Sequence, residues 1–293
     1  EALDTWNHAF GSTLGGENCT FMRNLWANNA ARNPSIGWNG IFNFANNVVY
    51  NWVHRGIDGG DYQATYNIFN NYFKPGPATP KDQPIGYRIL KPESGRSKLP
   101  YVVFGRAYVN GNIVEGNEQV TADNWNGGIQ LENKEGNGMT FDEAKPYFAA
   151  MKAAKPFPHA EFKVMAAADA YEYVLANAGA TLPHRDPVDT RIMKEVRDGK
   201  PTPLKNVTLP EKDFEHRQLP RDSYKMGIIT DIAQVGGYPE YKGKAYKDSD
   251  NDGIPDDVEV EMGLNPKDGR DSAKITETGY ANIEIYLNKL AAK

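Results

Sequence analysis

The 293-residue sequence has a single cysteine, Cys19, which excludes an internal disulfide framework and any Cys-x-x-Cys metal site. A lone cysteine of this kind reads as a small buried hydrophobe. There is no basic excess. Lysine and arginine number 33 against 38 aspartates and glutamates, a formal charge of −5, which excludes a generally basic nucleic-acid binder. No stretch reaches the roughly 18–20 uninterrupted apolar residues of a membrane span. The best candidate, KVMAAADAYEYVLANAGA, is broken by Asp169 and Glu172. No secretory leader opens the chain and Glu1 is not an initiator methionine, so the expectation is a mature chain or one cut from something longer. With 40% apolar and 24% charged residues, it can bury a core in one large or two modest domains.

Asparagine is plentiful, with fourteen in the first 71 residues. The segments FMRNLWANN, FANNVVYNW and IFNNYFKPG align Phe21, Phe44 and Ile68 in one column and Asn24, Asn47 and Asn71 in another, at steps of 23 and 24 residues. VNGNIVEGN adds Val109 and Asn112 to the same columns. A constant step of this size signals a solenoid. The repeat carries short Phe, Val, Tyr and Ile runs rather than helical periodicity, so each unit reads as strands and turns, one coil of a parallel β-helix. An asparagine at each bend can bond its equivalents above and below, and asparagine tolerates the left-handed backbone of a tight bend. Coils cannot bury their faces alone, and no amphipathic cap precedes residue 20, so further coils are expected before Glu1, on a missing segment or a partner chain.

Three regions follow. Residues 1–135 read as β-helix coils incomplete at the N-terminus, 136–245 as a partly helical extension wrapping the solenoid, and 246–293 as a small calcium module. Within the first, Lys74 to Pro100 (KPGPATPKDQPIGYRILKPESGRSKLP) is expected to be an insertion or surface loop rather than a core element. In the second, Thr140 and Glu143 form a capping box for a helix that Pro146 is expected to shorten. Ala166–Ala178 has helical spacing and stops at Gly179, and Asp186-Pro187 opens a helix that ends before Gly199. Residues 200–245 read as an extended, proline-punctuated wrap.

The sharpest local motif is DSDNDGIPDDVE at 248–259. Asp248, Asp250 and Asp252 fill loop positions 1, 3 and 5, Gly253 position 6, the Ile254 carbonyl position 7, Asp256 position 9 and Glu259 position 12. That reproduces D-x-D-x-D-G-x5-E, whose alternation turns hard oxygen ligands toward one ion, here Ca2+ in a structural role. A degenerate second copy around Gly279 has lost its acidic positions to Lys274, Thr276 and Thr278, and no second ion is expected there.

With the coils and the loop in hand, the chain resembles the pectate lyase superfamily, specifically polysaccharide lyase family 1. The resemblance lies in GSTLGGENCTFMRNLWANNAARNP, NNVVYNWVHR, YNIFNNYFKPGPAT, AYVNGN, TADNWNGG, RDPVDTRI and GGYPEY. DSDNDGIPDDVE…GLNP…GYANIEIYLN is similar to the thrombospondin type 3-like calcium module often attached to these proteins. The resemblance implies an all-β, right-handed parallel β-helix, bacterial secretion, and calcium-assisted β-elimination on polygalacturonate or a related uronate polymer. It further implies an arginine base in an R-x-P-x-x-R motif. ARNPSIG places Arg32 at the first arginine and Pro34 at the proline, whereas Gly37 stands where the second arginine belongs and Ser35 replaces a frequent extra one. The family's catalytic Ca2+ is held by acidic residues upstream of that motif, before Glu1. Arg55 after a solenoid strand, Lys74 before Pro75-Gly76-Pro77, and His8 are the candidate substrate contacts. Two rivals remain: a non-catalytic β-helix that binds acidic polysaccharide, and a calcium-stabilised surface solenoid with no sugar site.

Overall fold

The computed structural model describes residues 9–37, 40–182, 184–203, 207, 219–240 and 243–292. The chain divides into two compact units, one comprising residues up to 179 together with 188–238, the other 180–187 together with 239–293.

Twelve short strands build the first unit: β1 (Thr13–Leu14), β2 (Cys19–Met22), β3 (Leu25–Ala27), β4 (Ser35–Ile36), β5 (Ile41–Ala45), β6 (Val48–Tyr50), β7 (Ile57–Gly59), β8 (Thr65–Phe69), β9 (Tyr72–Lys74), β10 (Leu90–Pro92), β11 (Arg106–Asn110) and β12 (Ile113–Val114). They form three four-stranded sheets in the orders β1-β4-β7-β10, β2-β5-β8-β11 and β3-β6-β9-β12, with every pairing parallel. Each strand therefore lies against its equivalent one repeat later, an arrangement that fits the coils of a parallel β-helix. The column read from sequence is the observed register: Phe21 faces Phe44, Phe44 faces Ile68, and Ile68 faces Val109. These side chains stack with Phe42, Trp52 and Phe73 in one apolar core.

The asparagine column is a continuous ladder. The Nδ2 of Asn24 donates to Asn47 Oδ1 at 3.1 Å, that of Asn47 to Asn71 at 3.2 Å, and that of Asn71 to Asn112 at 2.8 Å. Asn124, outside the period, ends it by accepting from Asn112 at 2.9 Å. Each backbone N–H of the ladder also donates to the next Oδ1, so buried amides are satisfied between coils. The left-handed backbone belongs to the residue before each rung, namely Arg23, Asn46, Asn70 and Gly111, rather than to the rungs themselves.

Two sequence expectations need correction. Lys74–Pro100 is not wholly a surface loop, because β10 joins the first sheet and Ile89 and Leu90 are fully buried in the core. The apolar pair is brief and a longer step separates Ile57 from Leu90, so the period hides it. Nor does Pro146 shorten its helix. After α1 (Glu118–Ala122), α2 runs from Phe141 to Met151 with the expected capping box, held because Ala144 and Met151 enter the core and Phe148 packs edge-on to Trp125. Packing outweighs one missing N–H.

α3 (Ala167–Asn177) and α4 (Pro187–Asp198) lie where the helical spacing and the Asp186-Pro187 start placed them, and Val174, Leu175 and Val196 cover Val48 and Tyr50 of β6. The chain is thus not purely β. Of the expected wrap, residues 204–206 and 208–218 fall outside the described residues; Leu219 and Ile228 pack with Ala30, Val53 and Ala78. The second unit contains α5 (Asp256–Met262) and α6 (Asn282–Ala291).

Candidate functional site

The sheet β1-β4-β7-β10 sets a row of arginines. Ser35 pairs with Asp58 and Asp58 with Lys91, so Arg32, Arg55 and Arg88, each three residues earlier, hold corresponding places on successive coils. Thr13, Ser35, Asp58 and Lys91 share the face turned away from the core, whose inner residues are Ile36, Ile57 and Leu90. The Arg32 and Arg55 guanidiniums reach that outer column, at Thr13 and Asp58.

Arg32 is exposed and left-handed, with φ 58°. Its Nη1 donates to Thr13 Oγ1 at 3.4 Å, and its guanidinium lies 4.8 Å from the Phe10 ring centre. Among the described residues no carboxylate forms an ion pair with it. The Arg32 carbonyl accepts from Ser12 N, and a Cβ at Gly11 would come within 2.5 Å of that oxygen, which only glycine avoids. Gly37, the departure from the two-arginine pattern, sits where the coils come close: a Cβ there would meet Gly15 Cα and the Leu14 carbonyl at 3.3 Å.

Arg55 is committed to the protein. It bonds buried Asp58 at 2.9 Å and approaches Glu93 at 3.5 Å, while Arg96 pairs with Glu93 and Lys91 with Glu132. Burial alone would lower the Arg55 pKa; Asp58 and Glu93 outweigh it and hold the guanidinium above its ordinary value. Burial pushes the Glu93 carboxyl up, against the pull of Arg96, with Asp58 and Glu132 adding to the rise.

Lys74 lies on another sheet, at the end of β9. Its Nζ sits 3.2 Å from the Arg197 carbonyl, 3.4 Å from the Tyr171 hydroxyl and 3.5 Å from Glu115. The structure therefore brings Arg32 and Arg55 to one face and sets Lys74 apart. His8 lies outside the described residues. Arg88, which the sequence reading did not single out, donates from Nε to Gln130 Oε1 at 2.7 Å and from Nη1 to the His54 carbonyl at 2.8 Å. Its signal was the shared spacing of Arg55-Gly-Ile and Arg88-Ile-Leu.

In the second unit, carboxylate oxygens of Asp248, Asp250 and Asp252 lie within 4.8 Å of one another, as do those of Asp252, Glu259 and Asp271. Both oxygens of Asp250, both of Glu259, Oδ2 of Asp252 and Oδ1 of Asp271 are buried with no hydrogen-bond partner. Unpartnered carboxylate oxygens in two adjoining groups have the all-oxygen chemistry that a hard cation takes. Burial, then Asp250, Asp252 and Asp271, push the Glu259 carboxyl up to about 7. Gly253 supplies the left-handed turn at loop position 6 (φ 94°), and Ile254 buries its side chain. Asp256 turns elsewhere: it accepts from Ser249 N and Oγ at 2.7 and 2.8 Å and pairs with Lys247 at 2.7 Å. Asp271 takes its place in the cluster, from beyond the twelve-residue pattern. Around Gly279, the Thr276 and Thr278 hydroxyls bond each other at 2.7 Å.

No family model matches the chain. It is 29% identical over 275 residues to a probable pectate lyase C of Aspergillus fumigatus, and 29% over 277 residues to that of Aspergillus flavus, in each case covering 92% of this chain and 53% of the relative. The probable pectate lyase C of Aspergillus terreus is 29% identical over 279 residues, 94% of this chain and 54% of the relative. The chain thus spans about half the length of the curated relatives it matches. It is pectate lyase-like in sequence, its relatives here are fungal, and the bacterial setting that the resemblance implied finds no support among them.

Proposed function

We propose that this chain carries part of the catalytic face of a secreted, pectate lyase-like polysaccharide lyase acting on polygalacturonate or a related uronate polymer, with Arg32 as the base. The observation that carries the reading is Arg32 itself, an exposed guanidinium on a left-handed backbone, without a carboxylate partner among the described residues, in a chain similar to fungal proteins named pectate lyase C.

In this reading Arg32 takes the C5 proton alpha to the uronate carboxylate; the electron pair forms the C4–C5 double bond and the C4–O bond breaks, releasing the 4-linked sugar. A calcium ion on the uronate carboxylate, when bound, makes that proton more acidic. An arginine base is demanding, since guanidinium ordinarily stays protonated. A carboxylate neighbour would hold the proton more firmly, and none pairs with Arg32 among the described residues. Arg55 lies on the same face but is tied to Asp58 and Glu93.

We assign the second unit a structural calcium site, with Asp248, Asp250, Asp252, Glu259 and Asp271 as side-chain ligands and the Ile254 carbonyl at the seventh loop position. The orphan oxygens support this assignment. The test of the lyase reading is incubation of the full chain with polygalacturonate and calcium. Unsaturated uronate should accumulate and should not do so with chelator. Binding without product would favour the non-catalytic polysaccharide binder.

A further inference from the structure

Residues 9–13 run alongside residues 30–32 and are stitched to them. Ala30 N donates to the Ala9 carbonyl at 2.7 Å, Gly11 N to the Ala31 carbonyl at 2.9 Å and Ser12 N to the Arg32 carbonyl at 2.9 Å. Phe10 and Ala31 form a parallel bridge, and the Trp26 indole donates to Ser12 Oγ at 2.9 Å, which ties the stretch to β3 as well. Two of its side chains meet the Arg32 guanidinium. The Phe10 ring centre lies 4.8 Å from it, and Thr13 Oγ1 accepts from Nη1 at 3.4 Å. Phe10 is held in turn: it packs against the cluster of Ala30, Val53 and Ile228, and its ring lies edge-on to that of His54 at 6.0 Å.

We infer that Phe10 is a positioning residue for Arg32, its ring fixing the guanidinium in the orientation the reaction needs. The inference rests on the lyase reading for the role of Arg32 and adds what aims it. An exposed arginine turns about several single bonds, and that freedom has to be given up before the group can meet one particular proton. Among the described residues no carboxylate pairs with Arg32 to impose the restraint. A ring against the guanidinium imposes it instead, by cation–π attraction and stacking. The ring holds the group by its flat face and places no hydrogen-bond acceptor on it. Thr13 takes one N–H of Nη1, and Nε and Nη2 have no acceptor among the described residues, so that edge stays open to a sugar. Because the backbone on either side of Phe10 is bonded to residues 30–32, the ring and the arginine it aims are parts of one rigid turn.

The test is steady-state cleavage of polygalacturonate with calcium by the full chain and by Phe10→Leu, Phe10→Met and Phe10→Tyr, each rate normalised to the folded fraction from circular dichroism. Leucine and methionine keep an apolar side chain against Ala30 and Val53 but remove the π face, whereas tyrosine keeps it. The two ring-free variants should lose about tenfold in kcat with KM within about twofold of the native value, and Phe10→Tyr should recover most of that loss. A structural role alone would lower the folded fraction and leave kcat per folded chain unchanged, which overturns the inference. A change in KM alone overturns it, as does an equal loss in Phe10→Tyr. Unfolding of both ring-free variants assigns Phe10 to the fold and overturns it as well. Failure of the lyase reading shows separately: the native chain then forms no unsaturated product, and Arg32 has no reaction to be aimed at. Product from the native chain, matched by the ring-free variants, keeps the enzyme and removes only the positioning role.

Discussion

Replacing Asn71 by alanine strikes the middle of the ladder. The side chain is fully buried and makes four bonds: it donates to Asn112 Oδ1 at 2.8 Å and to the Phe44 carbonyl at 2.9 Å, and accepts from Asn47 N at 2.9 Å and Asn47 Nδ2 at 3.2 Å. Asn112 Oδ1 keeps the Asn71 backbone N–H, and Asn47 Nδ2 keeps the Phe21 carbonyl. The Asn47 N–H is left without its acceptor. At about 1 kcal/mol per bond, and more for a buried group left unpaired, the loss is about 4 kcal/mol. Asn24→Ala, at the exposed end, removes only the Asn24 Nδ2 bonds to Asn47 and the Met22 carbonyl and should cost about 1 kcal/mol or less. Guanidinium denaturation of both variants, followed by far-ultraviolet circular dichroism at unchanged m-value, measures the difference. Equal losses, or an Asn71→Ala loss below about 1 kcal/mol, would refute the view that the ladder binds the coils together.

Arg32→Gly relieves a left-handed backbone worth about 1–2 kcal/mol, against about 0.4–1 kcal/mol of added unfolded-chain entropy. Its stability should equal or slightly exceed that of wild type while product formation is lost; a clear loss of stability would mean that Arg32 serves the fold. Calcium at about a thousand times its dissociation constant should stabilise the second unit by about 4 kcal/mol. Asp271→Asn should remove much of that gain in a thermal melt and Asp256→Asn little of it; the opposite ranking would restore Asp256 as the ligand. Glu93 has a folded pKa raised above its unfolded value, so the stability it contributes is present below the unfolded pKa and is lost as pH rises through the folded one. Glu93→Gln should flatten that segment of the stability–pH curve, and an unchanged slope would contradict the assignment.

The ladder and the Phe21–Phe44–Ile68–Val109 column were legible because parallel coils repeat one set of contacts at one spacing, and a spacing survives in linear text. β10 was not, since a long step and a proline-rich frame hide two buried residues, Ile89 and Leu90. Arg88 went with it. The helix through Pro146 was misjudged because packing of Ala144 and Met151 cannot be read from local propensity. In the acidic loop the motif names six positions by analogy, whereas the structure shows only side-chain neighbours: Asp256 bonds Ser249 and pairs with Lys247, and Asp271 joins the carboxylate cluster from beyond the pattern. Arg55 and Lys74 were read as cations available to a substrate, whereas their partners come from residues as distant as Glu93 and Arg197.

The most direct test of the account is the ultraviolet absorbance of polygalacturonate incubated with the full chain and calcium, alongside Arg32→Ala shown by circular dichroism to be folded. Absorbance of the unsaturated product should rise with the native chain and stay at background with the variant. No rise with the native chain, or an equal rise with both, would contradict Arg32 as the base of a uronate lyase.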